Sequence, residues 1–223
     1  AYERQAAALR KNIDRHFGGM VEGFDTYRYY TGNDRLRAWI CIPLTVGIDE
    51  RKEATVEALF SPKLWTENGL LTRSGDKTFW DRSTLYALRG VYASGETEKA
   101  TGYLSYYSGV RLLGDHVPYA IEAWPEGSQR HLSAESGLYC RIITEGLFGI
   151  RPTGLRSFDL TPSMPAAWES MSLRHIRAFG SDFDITVARV ADGRLRITVA
   201  RPGAKPKIYR AAPGATIRVK LTD

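Results

Sequence analysis

The hydrophobic pattern of this chain changes once, near residue 151, and this change limits the folds open to it. Before that point, apolar residues recur at the three- and four-residue spacing of amphipathic helices. From Arg151 onward, apolar and polar residues alternate, as they do in strands with one buried face. Asp192-Gly193 stands between two such runs and is a strong hairpin signal. We therefore predict an α+β chain with a helical domain over 1–150 and an antiparallel β-domain over 151–223.

Long loops alternate with tight turns in the helical part. Antiparallel helix pairs that alternate in this way gather their long loops at one rim, which is where binding sites are usually found. The predicted long loops, all rich in aromatic and acidic residues, cover 18–33, 63–77 and 115–129. The predicted helices cover 1–17, 35–48, 51–60, 78–94, 96–113 and 131–148, and Pro43 is expected to kink or shorten the second of them.

The β-part carries most of the positive charge. From Met171 to Asp223 there are 11 Lys and Arg against 4 Asp and Glu, although the whole chain has a net charge of only +6. Such a patch can bind nucleic acid or another polyanion. Because its arginines alternate along apparent strands, we favour the solvated face of a sheet and predict no nucleic-acid partner. The predicted strands cover 157–161, 172–178, 183–190, 195–200, 207–209 and 216–221.

Several classes of site and location find no support in the sequence. No apolar run reaches the roughly 18 residues of a membrane helix, so no membrane partner is predicted. No histidine and cysteine cluster has metal-ligand spacing, and no phosphate-binding loop is present, so no metal or cofactor is predicted. Cys41 and Cys140 stand in apolar surroundings, which favours buried thiols over a disulfide.

The loop before the last predicted helix holds the chemistry that most suggests a function. Glu122 and Glu126 flank Trp124-Pro125. A carboxylate can activate a water molecule and accept hydrogen bonds from hydroxyls, and an indole offers a flat apolar surface to a sugar ring. This combination favours carbohydrate chemistry, although most glutamates in loops are simply solvated.

Three short patterns carry a resemblance to a known superfamily. Phe79-Trp80-Asp81-Arg82 opens a predicted helix, Tyr119 to Gln129 precedes the last helix, and Leu147 to Pro152 leads from that helix into the first strand. This order resembles the C-terminal half of the (α/α)6-barrel, or six-hairpin, glycoside hydrolases, which include trehalases, glucoamylases and α-L-rhamnosidases. The resemblance covers about 200 residues, but only about six helices are found where a barrel has twelve.

The resemblance implies a partial helical-hairpin toroid followed by an antiparallel β-sandwich. It implies an inverting glycosidase in which Glu126, or else Glu122, is the general base. The general acid, roughly 6.5–9.5 Å from the base in inverting enzymes, would then lie upstream of Ala1. The expected partners are a carbohydrate substrate and an N-terminal region of the same protein, and the expected location is periplasmic or secreted.

Further residues are predicted to contact the sugar. The aromatic ones would form platforms and the polar ones would bond hydroxyls, although core packing and helix-end charges explain many such residues equally well. The predicted contacts are Trp124, Tyr119, Gln129, His131, Glu135, Trp80, Asp81, Arg82, Tyr29 and Tyr30.

Other functions remain open at this stage. A non-catalytic glycan-binding or structural fragment would use the same aromatic residues without a base. A six-hairpin phosphorylase would replace the activated water with phosphate, and a polysaccharide lyase would need Tyr, His or Arg at the cleavage point. Polyanion binding by the basic β-part is a further alternative.

Overall fold

The computed structural model describes residues 2–113, 123–124 and 133–221, and for 123, 124 and 133 only the backbone. Helices and antiparallel strands are both abundant in this part of the chain, so the predicted α+β class is confirmed. The chain forms two compact units, 1–142 and 143–223. The predicted boundary at 150/151 lies slightly later than this division.

Unit 1 contains six α-helices and several very short strands within the described residues. Its helices are α1 Tyr2–Phe17, α2 Ile42–Thr45, α3 Lys52–Leu59, α4 Asp81–Ala93, α5 Thr97–Arg111 and α6 Ser133–Arg141. Its strands are β1 Gly18–Val21, β2 Phe24–Tyr27, β3 Trp65–Thr66, β4 Gly69–Leu70, β5 Phe79–Trp80 and β6 Ala123–Trp124. They pair as antiparallel hairpins or ladders: β1 with β2, β3 with β4, and β5 with β6.

Helix α4 lies at the centre of unit 1. Most of its residues are buried, including Leu85, Leu88 and Val91. Gly90 lets the helix approach α2 closely, since a Cβ there would lie 3.0 Å from Cβ of Leu44. By contrast, no residue of α1 is buried. The core therefore forms around α4, whereas α1 rests at the surface.

Several predictions for unit 1 are wrong in detail, whereas the expected effect of Pro43 is confirmed. The segment 35–48 is a 3-10 helix, Ala38–Cys41, followed by the one-turn α2, because Pro43 cannot donate an interior helical hydrogen bond and Gly47 has a φ of +72°. The loops 18–33 and 63–77 contain the β1–β2 and β3–β4 hairpins. The helix predicted from Thr78 begins at Asp81, after β5. The last helix ends at Arg141 and continues as a π-helix, Ile142–Leu147.

Unit 2 contains two antiparallel sheets. Its strands are β7 Ile150–Gly154, β8 Ser157–Leu160, β9 Ser170–Ala178, β10 Ser181–Arg189, β11 Leu195–Ala200, β12 Lys207–Ala211 and β13 Ile217–Lys220. One sheet has the order β12-β11-β10-β9 and the other β13-β8-β7. The rings of Phe158 and Phe183 stack across them at 5.5 Å, which forms the core of this unit. The predicted hairpin at Asp192-Gly193 is confirmed, since it joins β10 to β11.

The two cysteines differ in solvent exposure. Cys41 is fully buried, as predicted, and burial raises the pKa of its thiol to about 12. Cys140 is exposed on α6, so the prediction that it is buried is wrong. Of the four arginines predicted on a solvated face, Arg194, Arg196 and Arg218 are exposed. Arg189 is half-buried and donates from Nη2 to the carbonyl oxygen of Pro165 at 3.2 Å, so the prediction is wrong for this residue.

Two kinds of feature are absent from the described residues. None of their helices is both long and apolar enough to cross a membrane. No group of three or more His, Cys, Asp and Glu residues with the arrangement of a metal site occurs among them.

Candidate functional site

A two-residue ladder brings two distant parts of the sequence together. In the β5–β6 pair, Phe79 lies opposite Trp124 and Trp80 lies opposite Ala123. Because β5 is followed directly by Asp81 and Arg82 at the start of α4, the backbone at 123–124 lies beside that helix end. The two patterns that the sequence analysis singled out, Phe79 to Arg82 and the loop around Trp124, therefore meet in the fold.

The candidate base residues themselves lie outside the described residues. This holds for Glu122 and Glu126, and also for Tyr119, Gln129 and His131. For Trp124 the backbone alone is described. In the sequence Glu122 directly precedes Ala123, and Glu126 follows Trp124 by two residues. Their roles stay predictions, attached to a strand whose pairing is known.

Asp81 forms a buried ion pair at the first turn of α4. Arg111, the last residue of α5, donates from Nε to Oδ1 at 3.2 Å and from Nη2 to Oδ2 at 3.3 Å. The side chains are only 1% and 8% exposed. An acid at a helix start and a base at a helix end are both favoured by the helix dipole. This pair fastens α5 to α4 and favours a positioning role for Asp81, whose predicted substrate contact stays a prediction.

The pair is enclosed by aromatic rings. The Arg111 guanidinium lies 4.9 Å from the ring centroid of Phe79, a cation–π contact. Tyr107, one turn earlier on α5, is almost fully buried. Burial raises the pKa of Tyr107 well above 10, and the negative charge of Asp81 raises it further. The hydroxyl is therefore protonated beside the carboxylate at neutral pH.

Arg82 and Glu135 form a second ion pair, between α4 and α6. Nε of Arg82 donates to Oε1 of Glu135 at 2.6 Å. The Glu135 side chain has no exposed surface, whereas Arg82 is about one-third exposed. The second oxygen of Glu135, Oε2, is buried and accepts no hydrogen bond within the described part of the chain.

Further buried polar atoms lack partners in the same region. Nε1 of Trp80 and Oγ of Ser136 are buried and make no hydrogen bond to any described residue. Buried polar groups are nearly always paired in folded proteins, because leaving one unpaired costs about 1–3 kcal/mol. An indole donor at the start of α4 and a carboxylate acceptor on α6 are groups that a ligand hydroxyl could satisfy.

Trp39 connects this region to a neighbouring cleft. Its ring lies 6.1 Å from that of Trp80 in an edge-on arrangement and 5.9 Å from that of Tyr86. Trp39 also lines a mainly apolar cleft of about 380 Å³. This volume falls in the range of small-molecule sites. The other lining residues are Ile13, Phe17, Tyr27, Arg28, Tyr29, Ile40, Ile42 and Pro43.

Tyr29 and Tyr30, predicted at the rim, lie next to this cleft. Both are about half exposed, and their rings meet edge-on at 6.1 Å. The Arg37 guanidinium lies 4.9 Å from the Tyr29 centroid and 5.9 Å from the Tyr30 centroid. Tyr29 and Trp39 both line the cleft, and Trp39 also contacts Trp80. Aromatic rings therefore connect the cleft to the start of α4.

Sequence reasoning missed two residues of this region. Trp39 was assigned only to the buried face of a helix that Pro43 was expected to shorten, and no local pattern indicated its contact with Trp80. Arg111 gave no signal, because a basic residue in the last turn of a helix is common. Its partner Asp81 is 30 residues away in the sequence.

Neither a scan of protein-family models nor a search of curated proteins finds a match for this chain.

Proposed function

We propose that this chain is the C-terminal portion of a six-hairpin glycoside hydrolase that cleaves by inversion. The observation that carries the proposal is the β5–β6 ladder. It supports a site in which the loop holding both candidate bases lies against Trp80, Asp81 and Arg82. This is the junction at which the sequence resemblance predicts the site.

In the proposed reaction, the carboxylate of Glu126, or else of Glu122, takes a proton from a water that attacks the anomeric carbon. A carboxylic acid on the other side of the sugar, roughly 6.5–9.5 Å from the base, protonates the leaving oxygen. Both oxygens of Asp81 accept hydrogen bonds from Arg111, so we assign Asp81 to positioning. The acid belongs to an N-terminal region of the same protein, as the superfamily layout implies.

The sugar lies against the aromatic residues in this proposal. Trp80 and Trp124 come from paired strands, and Trp39 extends the aromatic surface toward the cleft. Nε1 of Trp80 and Oε2 of Glu135 supply a donor and an acceptor for sugar hydroxyls. Arg82, one-third exposed, and the half-exposed Tyr29 and Tyr30 serve as further contacts.

The finer architecture belongs to the same proposal. Helices α4 and α5, joined by a tight turn at Gly95, form one hairpin of an (α/α)6 toroid. The two antiparallel sheets of unit 2, with Phe158 against Phe183, form a β-sandwich. The location proposed from the superfamily is the periplasm or the exterior of the cell.

The rival functions differ in what they require. A glycan-binding or structural fragment binds sugar without releasing it, a phosphorylase needs phosphate, and a lyase leaves unsaturated ends that absorb ultraviolet light. Arg82 and the aromatic residues serve all of these. Only hydrolysis needs a carboxylate base in the loop around Trp124.

The test is sugar release from a panel of oligosaccharides without added phosphate. A gene product that includes this chain and any preceding sequence is compared with this chain alone and with the variants Glu126→Gln and Glu122→Gln. Glu57→Gln, at an exposed position of α3, is the matched control. Loss of release, by about a hundred-fold or more, in one loop variant but not in the control supports the proposal. Full release by both loop variants contradicts it.

A further inference from the structure

The C-terminal part of the chain is rich in basic residues, and two of its exposed arginines lie on the outer face of the β9–β12 sheet. The chain from Met171 onward carries 11 basic and 4 acidic residues, a balance of +7, whereas the remainder carries about −1. Along β11, Leu195, Ile197 and Val199 are buried. The alternate residue Arg196 is exposed, as is Arg194 just before the strand.

The strand register places two arginines side by side. Arg196 of β11 lies directly opposite Arg210 of β12, and both are exposed. Cβ atoms of directly opposed residues are about 4.5–5.5 Å apart, and like charges in such positions repel. Neither side chain forms an ion pair with any described residue. Asp192, in the preceding turn, accepts a hydrogen bond from the backbone N–H of Arg194.

Small side chains cover the sheet next to this arginine pair. Ala188 and Ser170 continue the row of Arg196 and Arg210 across β10 and β9. The next row is Ile208, Thr198, Thr186 and Ser172. The hydroxyls of Ser172 and Thr186 lie 3.2 Å apart, and Ile208 is 64% exposed. These two rows therefore form a shallow floor of hydroxyl and methyl groups with two guanidinium groups at one end. Asp184 lies on the same face in the row beyond Thr186, where its Oδ1 accepts a hydrogen bond from the backbone N–H of His175.

We propose that this outer face of the β9–β12 sheet binds a polysaccharide that bears uronate carboxylates. The planar guanidinium matches a carboxylate through two parallel hydrogen bonds, and it does so better than an ammonium group. The hydroxyls of Ser172, Thr186 and Thr198 suit neighbouring sugar hydroxyls, and Ile208 offers apolar contact. An anionic ligand also relieves the repulsion between Arg196 and Arg210.

A glycan fits this face better than a nucleic acid does. Binding of single strands relies on aromatic rings that stack on bases, and none of the outer positions of the two rows holds one. Among the described residues from Phe148 to Leu221 the regular elements are all strands, so this part of unit 2 offers no recognition helix for the groove of a duplex. The choice of a glycan rests on the proposed function, but the binding itself needs neither Glu126 nor Glu122.

The test measures binding of polygalacturonate to the full 223-residue chain by affinity electrophoresis and calorimetry. The probes for comparison are neutral dextran, dextran sulfate and a DNA duplex, each at about 50 and about 300 mM NaCl. The main variant is Arg196→Gln/Arg210→Gln. The matched control, Arg4→Gln/Lys11→Gln, removes the same charge from exposed positions of α1. Circular dichroism and Tm confirm that each variant is folded.

We expect polygalacturonate to bind, dextran not to bind, and the main variant to bind about ten-fold or more weakly than the control. Arg196→Lys/Arg210→Lys keeps the charge and is expected to bind weakly too, because it loses the paired hydrogen bonds. Equal weakening in variant and control, full binding by the lysine variant, tighter binding of dextran sulfate or DNA, or no binding of polygalacturonate overturns the inference. We expect Glu126→Gln and Glu122→Gln to bind polygalacturonate as tightly as the parent chain does. The outcome of this binding test is therefore independent of the outcome of the hydrolysis test.

Discussion

Arg82 donates a 2.6 Å hydrogen bond from Nε to Oε1 of Glu135, a carboxylate with no exposed surface. This contact joins the first turn of α4 to the first turn of α6. The pair therefore ties the stability of the helical unit to the geometry of the candidate site.

Removing Arg82 should destabilise the protein. In Arg82→Met the buried Glu135 loses its cationic partner, and we expect a loss of about 2 kcal/mol, less than for a fully buried pair because Arg82 is partly exposed. The measurement is urea unfolding followed by circular dichroism. The double variant Arg82→Met/Glu135→Leu should recover part of the loss. Simple additivity of the two single variants would show that the residues are not coupled.

The Asp81–Arg111 pair should matter more. Both partners are buried, so Arg111→Met removes the cation that faces a buried carboxylate and is expected to cost about 3–5 kcal/mol in unfolding free energy. Arg111→Lys should lose less, because it keeps the charge but not the two-bond geometry.

The control for this prediction is Arg177→Met. Arg177 is 85% exposed and pairs with Asp182 at 3.7 Å, and its removal should have no measurable effect on urea unfolding. Equal effects of the two substitutions would show that the buried pair does not fasten α5 to α4.

Close packing of α4 against α2 predicts opposite effects for two glycine substitutions. In Gly90→Ala the new Cβ would lie 3.0 Å from Cβ of Leu44 and 3.2 Å from the carbonyl oxygen of Cys41, so we expect a loss of about 1–3 kcal/mol. Gly102 in α5 is exposed with nothing near it, and Gly102→Ala should stabilise the helix by about 0.5–1 kcal/mol. Thermal unfolding of both variants measures these changes in stability. A stabilising effect of Gly90→Ala would contradict the close packing of α4 against α2.

The sequence predicted those elements whose signals are local. The strands of unit 2 follow from period-two alternation, and α3 and α5 follow from helical spacing between clear stop signals. The β1–β2 hairpin was missed because its two-residue turn is Glu22-Gly23, with φ of 48° and 97°. Such turns usually carry Asn-Gly or Asp-Gly, so Glu-Gly gave no signal.

The candidate site depended on contacts that no local pattern encodes. Strands β5 and β6 have two residues each, which is too short for any periodicity, and they pair across more than forty positions of sequence. The partners of Asp81 and Glu135 were likewise set by the packing of α4, α5 and α6. Sequence patterns found the residue types that form the site, whereas tertiary packing decided that Asp81 and Glu135 are buried and that Trp39 belongs beside Trp80.

Acid should weaken the protein partly through Glu22. Burial raises the pKa of this carboxyl, but hydrogen bonds from the Ser74 hydroxyl and the Leu36 N–H, together with the charge of Lys63, outweigh burial and lower the pKa below 4.5. A lowered folded-state pKa contributes stability that is present above pH 4.5 and is lost as the pH falls through the folded value.

Glu22→Gln should therefore be less stable than the parent chain near neutral pH, with the difference narrowing below pH 4.5. Unfolding in urea across this range measures the difference. The exposed Glu57→Gln should show no such narrowing. A gap between Glu22→Gln and the parent that is constant with pH would remove Glu22 as a source of acid sensitivity.

Alkali should weaken the protein through Cys41. Burial raises the pKa of its thiol from 9.0 to about 12, so the folded state holds this proton when the unfolded chain has released it. A raised folded-state pKa gives stability that is complete below pH 9 and is lost as the pH rises toward 12.

Thiol labelling at about pH 8 should modify the exposed Cys140 quickly and Cys41 only at the rate of unfolding. In Cys41→Ala the slow labelling phase should disappear and the loss of stability above pH 9 should be smaller. Rapid labelling of both thiols in the native protein would show that the packing between α2 and α4 opens far more readily than the buried position of Cys41 implies.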